Sequence, residues 1–259
     1  MSLREGISKV KNIILVSSGK GGVGKSTVTS NLAGALHRLG KTVGVLDADI
    51  HGPSQVMMFG LENNTPVRVT EDGKYMLPYE AHGIQVASMA SRIKEGQTID
   101  WRGPMAAMGV SNLFFHTYWG ELDYLIVDMP PGTGDIQIAV CEKIRHAKVV
   151  IVTTPQDVAL IDCKKGIDLY QNKSIEILGV VENMAGHVCS HCGNIDHIFG
   201  SEGANKLSEQ YSIPVLGRLP LYSDIGKSSD NGLPIVLNED YQELAKLYID
   251  IAEKVLNEQ

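Results

Sequence analysis

Residues 12–40 read NIILVSSGKGGVGKSTVTSNLAGALHRLG: an apolar run, a glycine-rich turn and a helical pattern in immediate succession. Gly19 to Ser26 fit G-x-x-x-x-G-K-[ST] in the context that motif requires, after a strand and before a helix. The residue types suit a phosphate cradle. Gly19, Gly21, Gly22 and Gly24, with Val23 among them, let the backbone wrap closely around phosphate oxygens with its N–H groups inward. The following helix adds the positive end of its dipole. Lys25 is expected to reach the β- and γ-phosphates and Ser26 to ligate Mg²⁺, with Thr27 closing the motif.

Outward from this loop, short apolar runs alternate with helical stretches. Candidate strands are 12–18, 42–47, 84–88, 124–128, 148–154, 175–181 and 214–219; candidate helices are 25–39, 103–117, 134–146, 158–172 and 201–211. Near-continuous apolarity marks strands buried on both faces of a parallel sheet. The alternation predicts an α/β fold, a doubly wound, mostly parallel sheet flanked by helices. No Gly-, Ser- or Pro-rich linker interrupts it, so one domain over 1–259 is expected. Residues 60–80 read as a polar insertion with a hairpin, and residues 183–200 as a second insertion where a short connection would serve. The pattern of Tyr241, Leu244, Leu247, Tyr248, Ile251, Val255 and Leu256 predicts a C-terminal helix packed on the sheet.

The composition is that of an ordinary globular chain: 259 residues, 43% hydrophobic, 20% charged, net charge −7. The negative balance argues against a broad nucleic-acid-binding face. No run approaches the ~20 apolar residues that cross a bilayer, and no secretory h-region stands at the N-terminus. Four cysteines, two of them as CxxC, suit a reducing compartment. A cytoplasmic protein without nucleic-acid or membrane partners is expected.

Lys20, just after the first glycine, is extra to the general motif and by itself reads as a solvent-exposed lysine. The form KGGVGK[ST] resembles the deviant phosphate-loop ATPases, which include partition, septum-positioning and nitrogenase iron-protein relatives. That resemblance implies an ATP-dependent homodimer in which Lys20 acts on the partner's nucleotide. In LDADIHGPS (46–54), an acid at a strand end can position the attacking water. The resemblance assigns this to Asp49, with Asp47 supporting the Mg²⁺ region; capping of the next helix is the other reading of both. In YLIVDMPPGTGD (124–135), Asp128 stands where it can bind Mg²⁺ through water. The Gly132 N–H is placed to sense the γ-phosphate, as in the class's second switch. Asn183 matches the position where relatives read the adenine edge, and Pro220–Tyr222 the segment covering the base; a plain turn residue is the other reading of Asn183.

Cys189 and Cys192 have the spacing that lets two thiolates share one metal or cluster. Two ligands are half of a usual set, and a dimer would supply the other pair. Three readings stay open on the residues alone. One is a [4Fe–4S] cluster between subunits. Another is zinc, as Cys₄ between chains or Cys₂ with His187, His191 or His197. The third is a redox dithiol. Cys141 and Cys163 lie on helical stretches and read as small buried hydrophobes.

KGGVGKST, DADIHGPS, WRGP (101–104), DMPPGTGD, TTPQ (153–156), ENMAG (182–186) and CSHCG (189–193), taken together, look like the Mrp/ApbC family of iron–sulfur cluster carrier ATPases. The resemblance implies ATP with Mg²⁺, slow hydrolysis, a labile [4Fe–4S] cluster on Cys189 and Cys192 of two subunits, and apo iron–sulfur proteins as recipients. A stable second cluster is not expected, because relatives that hold one carry an N-terminal four-cysteine site not found here. Trp101 and Arg102 read as a helix start with an aromatic anchor. Two other functions remain: a MinD/ParA-type positioning ATPase, which would want a basic amphipathic C-terminal helix, and a zinc-stabilised ATP-dependent regulator.

Overall fold

The structure is a computed structural model that describes residues 5–62, 65–88, 103–189 and 191–258. Trp101 and Arg102 lie outside the described residues. In chain order the elements are β1 (Val10–Ser18), α1 (Lys25–Arg38), β2 (Val43–Asp47), α2 (Gln55–Met58), β3 (Tyr79–Ala81), β4 (Ile84–Ser88), α3 (Gly103–His116) and β5 (Leu122–Asp128). They continue with α4 (Asp135–Lys143), β6 (Lys148–Thr153), α5 (Asp157–Asn172), β7 (Glu176–Glu182), β8 (His187–Val188) and β9 (Ile195–Asp196). The last are α6 (Gly203–Tyr211), β10 (Val215–Arg218), α7 (Ser223–Asp230) and α8 (Gln242–Asn257).

One sheet runs in the order β10-β7-β6-β1-β5-β2-β4-β3. Every pairing in it is parallel except β3 with β4. The chain leaves β1, passes over β5 to form β2, and later returns to β6 on the other side of β1. The order therefore reverses at β1, and the crevice above its C-terminal end is where open α/β sheets bind ligands.

Alternation along each strand divides the core into two layers. Ile13 and Leu15 of β1, with Leu125, Val127, Val149 and Ile151, pack under α3, α4, α5 and α6. Ile14 and Val16, with Ile126, Val150 and Val152, pack under α1, α7 and α8. Burial on both faces is why these strands read as unbroken apolar runs. In α8, Tyr248, Ile251 and Val255 are buried and Leu244, Leu247 and Leu256 pack beside them, as the helical spacing predicts. No helix among the described residues is long and apolar enough to cross a membrane.

The seven expected strands all form, within two residues of the read boundaries. The hairpin expected in 60–80 is reduced to one antiparallel bridge, Val69 to Met76, closed by a turn in which Gly73 takes a positive φ of 68°. The insertion at 183–200 folds as a separate hairpin, β8 against β9. The antiparallel edge strand β3 escapes a pattern reading because YEA is short and carries no apolar run.

Candidate functional site

The phosphate loop leaves β1 at Ser18 and enters α1 at Lys25, with its turn made possible by Gly22 and Gly24 at φ 79° and 80°. At these angles an L side chain is strained. Gly24 has a second reason: a Cβ there would overlap the Asn183 amide nitrogen. Gly19 packs directly on the backbone of Asp162 and Cys163 in α5, where a Cβ would overlap both. The loop, Ser26, Thr27, Asp49, Gly52, Ser54, Met58 and Pro131 surround a cavity of about 290 Å³.

Lys25 is buried, and its ammonium sits 2.5 Å from Asp128 Oδ1 and 3.6 Å from Asp49 Oδ2. Asp128 is itself fully buried at the end of β5. A buried carboxylate requires both countercharge and hydrogen bonds, and Asp128 has them. Thr29 Oγ1 donates to Oδ1 at 3.0 Å, and Gln55 Nε2 donates to Oδ2 at 2.8 Å. The end of β2 is held to the same place, since the Ala48 N–H donates to the Asp128 carbonyl.

Asp47 and Asp49 separate into two roles. Asp47 is 1% exposed and accepts from the Ser54 and Gln55 N–H groups at 3.0 and 3.1 Å, and from Ser88 Oγ at 3.2 Å. It organises the loop 48–55 from behind, which includes capping the short helix α2. Burial, followed by the neighbouring Asp128 carboxylate, raises its carboxyl above the ordinary range. Asp49 lines the cavity and faces Lys25. Its carboxyl is also raised, chiefly by burial, with Lys25 pulling the other way.

Lys20 lines the cavity mouth and forms no ion pair among the described residues. Gly132, at φ 88°, donates its N–H to the Ser18 carbonyl at 2.9 Å. The expected γ-phosphate sensor is thus engaged with the end of β1 in this structure. Asn183, 8% exposed, donates from Nδ2 to the Val23 carbonyl at 2.9 Å. The residue expected at the base edge therefore also holds the middle of the phosphate loop. Gln55 was missed by sequence reading. Its only signal is its place directly after DADIHGPS, in a segment too short for a periodicity.

Beyond Asn183 the chain turns at Met184, φ 56°, into the hairpin. The hairpin's root is fastened to the segment after β10 by Ala185 N–H to Leu219 O at 2.9 Å and Leu221 N–H to Gly186 O at 2.8 Å. At its tip the Cys189 N–H donates to Asn194 O and the Gly193 N–H to Cys189 O. This tight turn leaves Cys189 half-buried and Cys192 exposed. The Cys192 N–H, then the His191 N–H, then the Cys192 thiol hold the Cys189 thiol below its ordinary value. Among the described residues no three His, Cys, Asp or Glu side chains gather as a metal site. A groove of about 600 Å³ runs between this hairpin and α6, lined by Val188, Ile195, His197, Asn205 and Arg218 among others. Cys141 and Cys163 are buried in the core, as expected.

The donor set fits a magnesium nucleotide. A phosphate loop with a buried lysine stands beside the Ser26 hydroxyl and the Asp49 and Asp128 carboxylates, and two buried polar atoms, Ser54 Oγ and Gln55 Oε1, have no partner among the described residues. Hard oxygen donors of this kind suit Mg²⁺.

A family model described as ParA, NUBPL iron-transfer P-loop NTPase, matches residues 9–256. The chain is 49% identical over 247 residues to an iron–sulfur cluster carrier protein of Pseudomonas fragi, covering 95% of this chain and 86% of that one. Its fold is similar to that of a nucleotide-binding protein of Archaeoglobus fulgidus in complex with ADP. The TM-score is 0.77 and the identity 38%, over 89% of this chain and 90% of the other. The cell division ATPase MinD of Pyrococcus furiosus is similar in fold, with TM-score 0.70 over 96% and 99% of the two chains. At 22% identity that likeness extends to the fold alone.

Proposed function

Since the chain belongs to the ParA family of NUBPL iron-transfer P-loop NTPases, we propose that it is an ATP-hydrolysing carrier of a [4Fe–4S] cluster. The cluster is held as cargo between two subunits and transferred to apo iron–sulfur proteins. The relative of Pseudomonas fragi is named for cluster carriage, and that name supports the cargo.

The observation that carries the reading is the Asn183–Val23 hydrogen bond. It fastens the phosphate loop to a residue six positions before Cys189. Phosphates entering the loop reorient its N–H groups and so load the Val23 carbonyl. Asn183 passes the change to the hairpin root at Ala185 and Gly186. The nucleotide then sets the pose of the two thiols, a coupling between distinct sites that each ligand must feel reciprocally.

Within the nucleotide site, Lys25 exchanges its carboxylate partners for the β- and γ-phosphates, and Asp49 orients the water that attacks the γ-phosphorus. Mg²⁺, when bound, would neutralise charge on the phosphates, with Ser26 as its ligand and Asp128 holding it through water, while Asp47 supports the loop behind it. The second N–H and Oδ1 of Asn183, unbonded among the described residues, serve the adenine edge, with Pro220–Tyr222 covering the base. Gly132 releases Ser18 to meet the γ-phosphate, and hydrolysis returns it.

The homodimer is supported by three observations. One chain offers two sulfurs of a set that clusters complete with four. Lys20 has no ion-pair partner of its own among the described residues. Val158 and Ile161, at the start of the helix that backs Gly19, are 58% and 59% exposed, as residues covered by a second copy would be.

Anaerobic reconstitution with iron and sulfide, beside a Cys189→Ala/Cys192→Ala variant, tests the cargo. About four irons per dimer, lost in the variant, are expected. Zinc or no metal in the wild type would refute it. The zinc-stabilised regulator and the positioning ATPase would then return as alternatives.

A further inference from the structure

Gln55 is fully buried beside the site, yet only part of its side chain is satisfied. Nε2 donates twice, to Asp128 Oδ2 at 2.8 Å and to the Ser26 carbonyl at 3.1 Å. Its own N–H donates to Asp47 Oδ2 at 3.1 Å. One residue thus ties together the first turn of α1, the carboxylate ending β5 and the carboxylate ending β2. Its Oε1 is buried without a partner, and so is the hydroxyl of Ser54 next to it.

Two neighbouring orphans at one site are informative. Leaving a buried polar atom unpaired costs about 1–3 kcal/mol, and folded proteins leave few of them. Ser54 also lines the phosphate-loop cavity, with Ser26 and Asp49. Mg²⁺ keeps several of its waters when it binds carboxylates and phosphates. Those waters are donors toward the protein, the partner that Ser54 Oγ lacks.

We propose that Gln55 is a positioning residue for the magnesium nucleotide, orienting Asp128 from behind through Nε2, with Ser54, which lines the cavity, as the contact to the hydrated cation. The inference rests on the nucleotide-binding reading above. It makes Gln55 a determinant of magnesium dependence rather than of phosphate binding itself, because no atom of Gln55 lines the phosphate cavity.

The test uses the full chain and ADP, so that hydrolysis does not enter. Affinity is measured in EDTA and across a Mg²⁺ titration, beside the Tm of each variant. Gln55→Met fills the same volume without either polar atom. Its affinity in EDTA should stay within about twofold of wild type, while half-saturating Mg²⁺ rises about tenfold, the size of one hydrogen bond to a charged group. Ser54→Ala removes a hydroxyl with no protein partner. It should raise half-saturating Mg²⁺ about threefold at unchanged Tm, which keeps the test open should Gln55→Met fail to fold. Wild-type magnesium dependence in both variants overturns the proposal. So does a Gln55→Met protein that folds but loses affinity equally in EDTA and in Mg²⁺, since that is a packing defect. A wild type that binds no ADP in either condition overturns the nucleotide reading, and this inference with it.

Discussion

The Asn183 amide holds the Val23 carbonyl at 2.9 Å across 160 residues of sequence. The room for it exists because residue 24 is glycine, whose missing Cβ leaves the space that the amide nitrogen fills. The phosphate loop and the strand that leads to the thiol hairpin are therefore built as one unit, and the consequences can be measured.

Asn183→Ala removes one hydrogen bond with a net value of about 1 kcal/mol, so nucleotide affinity should fall about fivefold. More telling is transfer. Cluster delivery to an apo-ferredoxin, timed with and without ATP, should lose most of its nucleotide dependence in the variant. A variant that keeps the wild-type ratio of the two rates would show that the signal travels elsewhere.

Lys25→Met leaves the buried Asp128 without its countercharge, with Thr29 and Gln55 as its remaining side-chain donors among the described residues. Breaking one side of a buried pair costs about 3–5 kcal/mol. Denaturant unfolding should show a loss of that order, and adding Asp128→Asn should recover most of it by removing the stranded charge. Both variants should be inactive in phosphate release.

The cysteines should divide cleanly under iodoacetamide at neutral pH. Burial pushes the Cys141 thiol up to about 11 and the Cys163 thiol up to about 12, so both stay protonated. Cys189, held below its ordinary value at the hairpin tip, offers the thiolate that reacts. Peptide mapping should find modification at Cys189 and at exposed Cys192, with Cys141 and Cys163 untouched until the chain is unfolded.

At the opposite end of the sheet, Asp123 accepts from Lys11 Nζ at 2.8 Å and from the Thr42 N–H and hydroxyl at 2.9 Å each. These bonds, that from Lys11 first, hold its carboxyl down to about 2. Its folded value lies below its unfolded one, so the stabilisation is complete above about pH 4 and is lost as pH falls through 2. Partial exposure reduces it to about 1 kcal/mol. Asp123→Asn should therefore cost about 1 kcal/mol at pH 7, a gap that closes toward pH 2 in calorimetry. A gap that is constant across that range would place the cost in something other than charge.

The order of elements was legible in the sequence because each signal is local. A run such as IILVSS declares a strand buried on both faces, and G-x-x-x-x-G-K-[ST] declares its loop by glycine spacing alone. The same reasoning singled out Asp47, Asp49, Asp128 and both hairpin cysteines as candidates, because they stand at strand ends or in a motif. Tertiary structure decided what those residues touch. That Lys25 meets Asp128, 103 positions away, follows from β1 pairing beside β5, a choice made by which faces bury together. That Asp47 sits behind the loop while Asp49 faces the cavity is set by which carboxylate the Ser54 and Gln55 N–H groups can reach. Gln55 and the bond from Asn183 to Val23 were invisible for the same reason. A buried polar group takes its meaning from the partners that satisfy it, and those partners come from segments that only folding brings together.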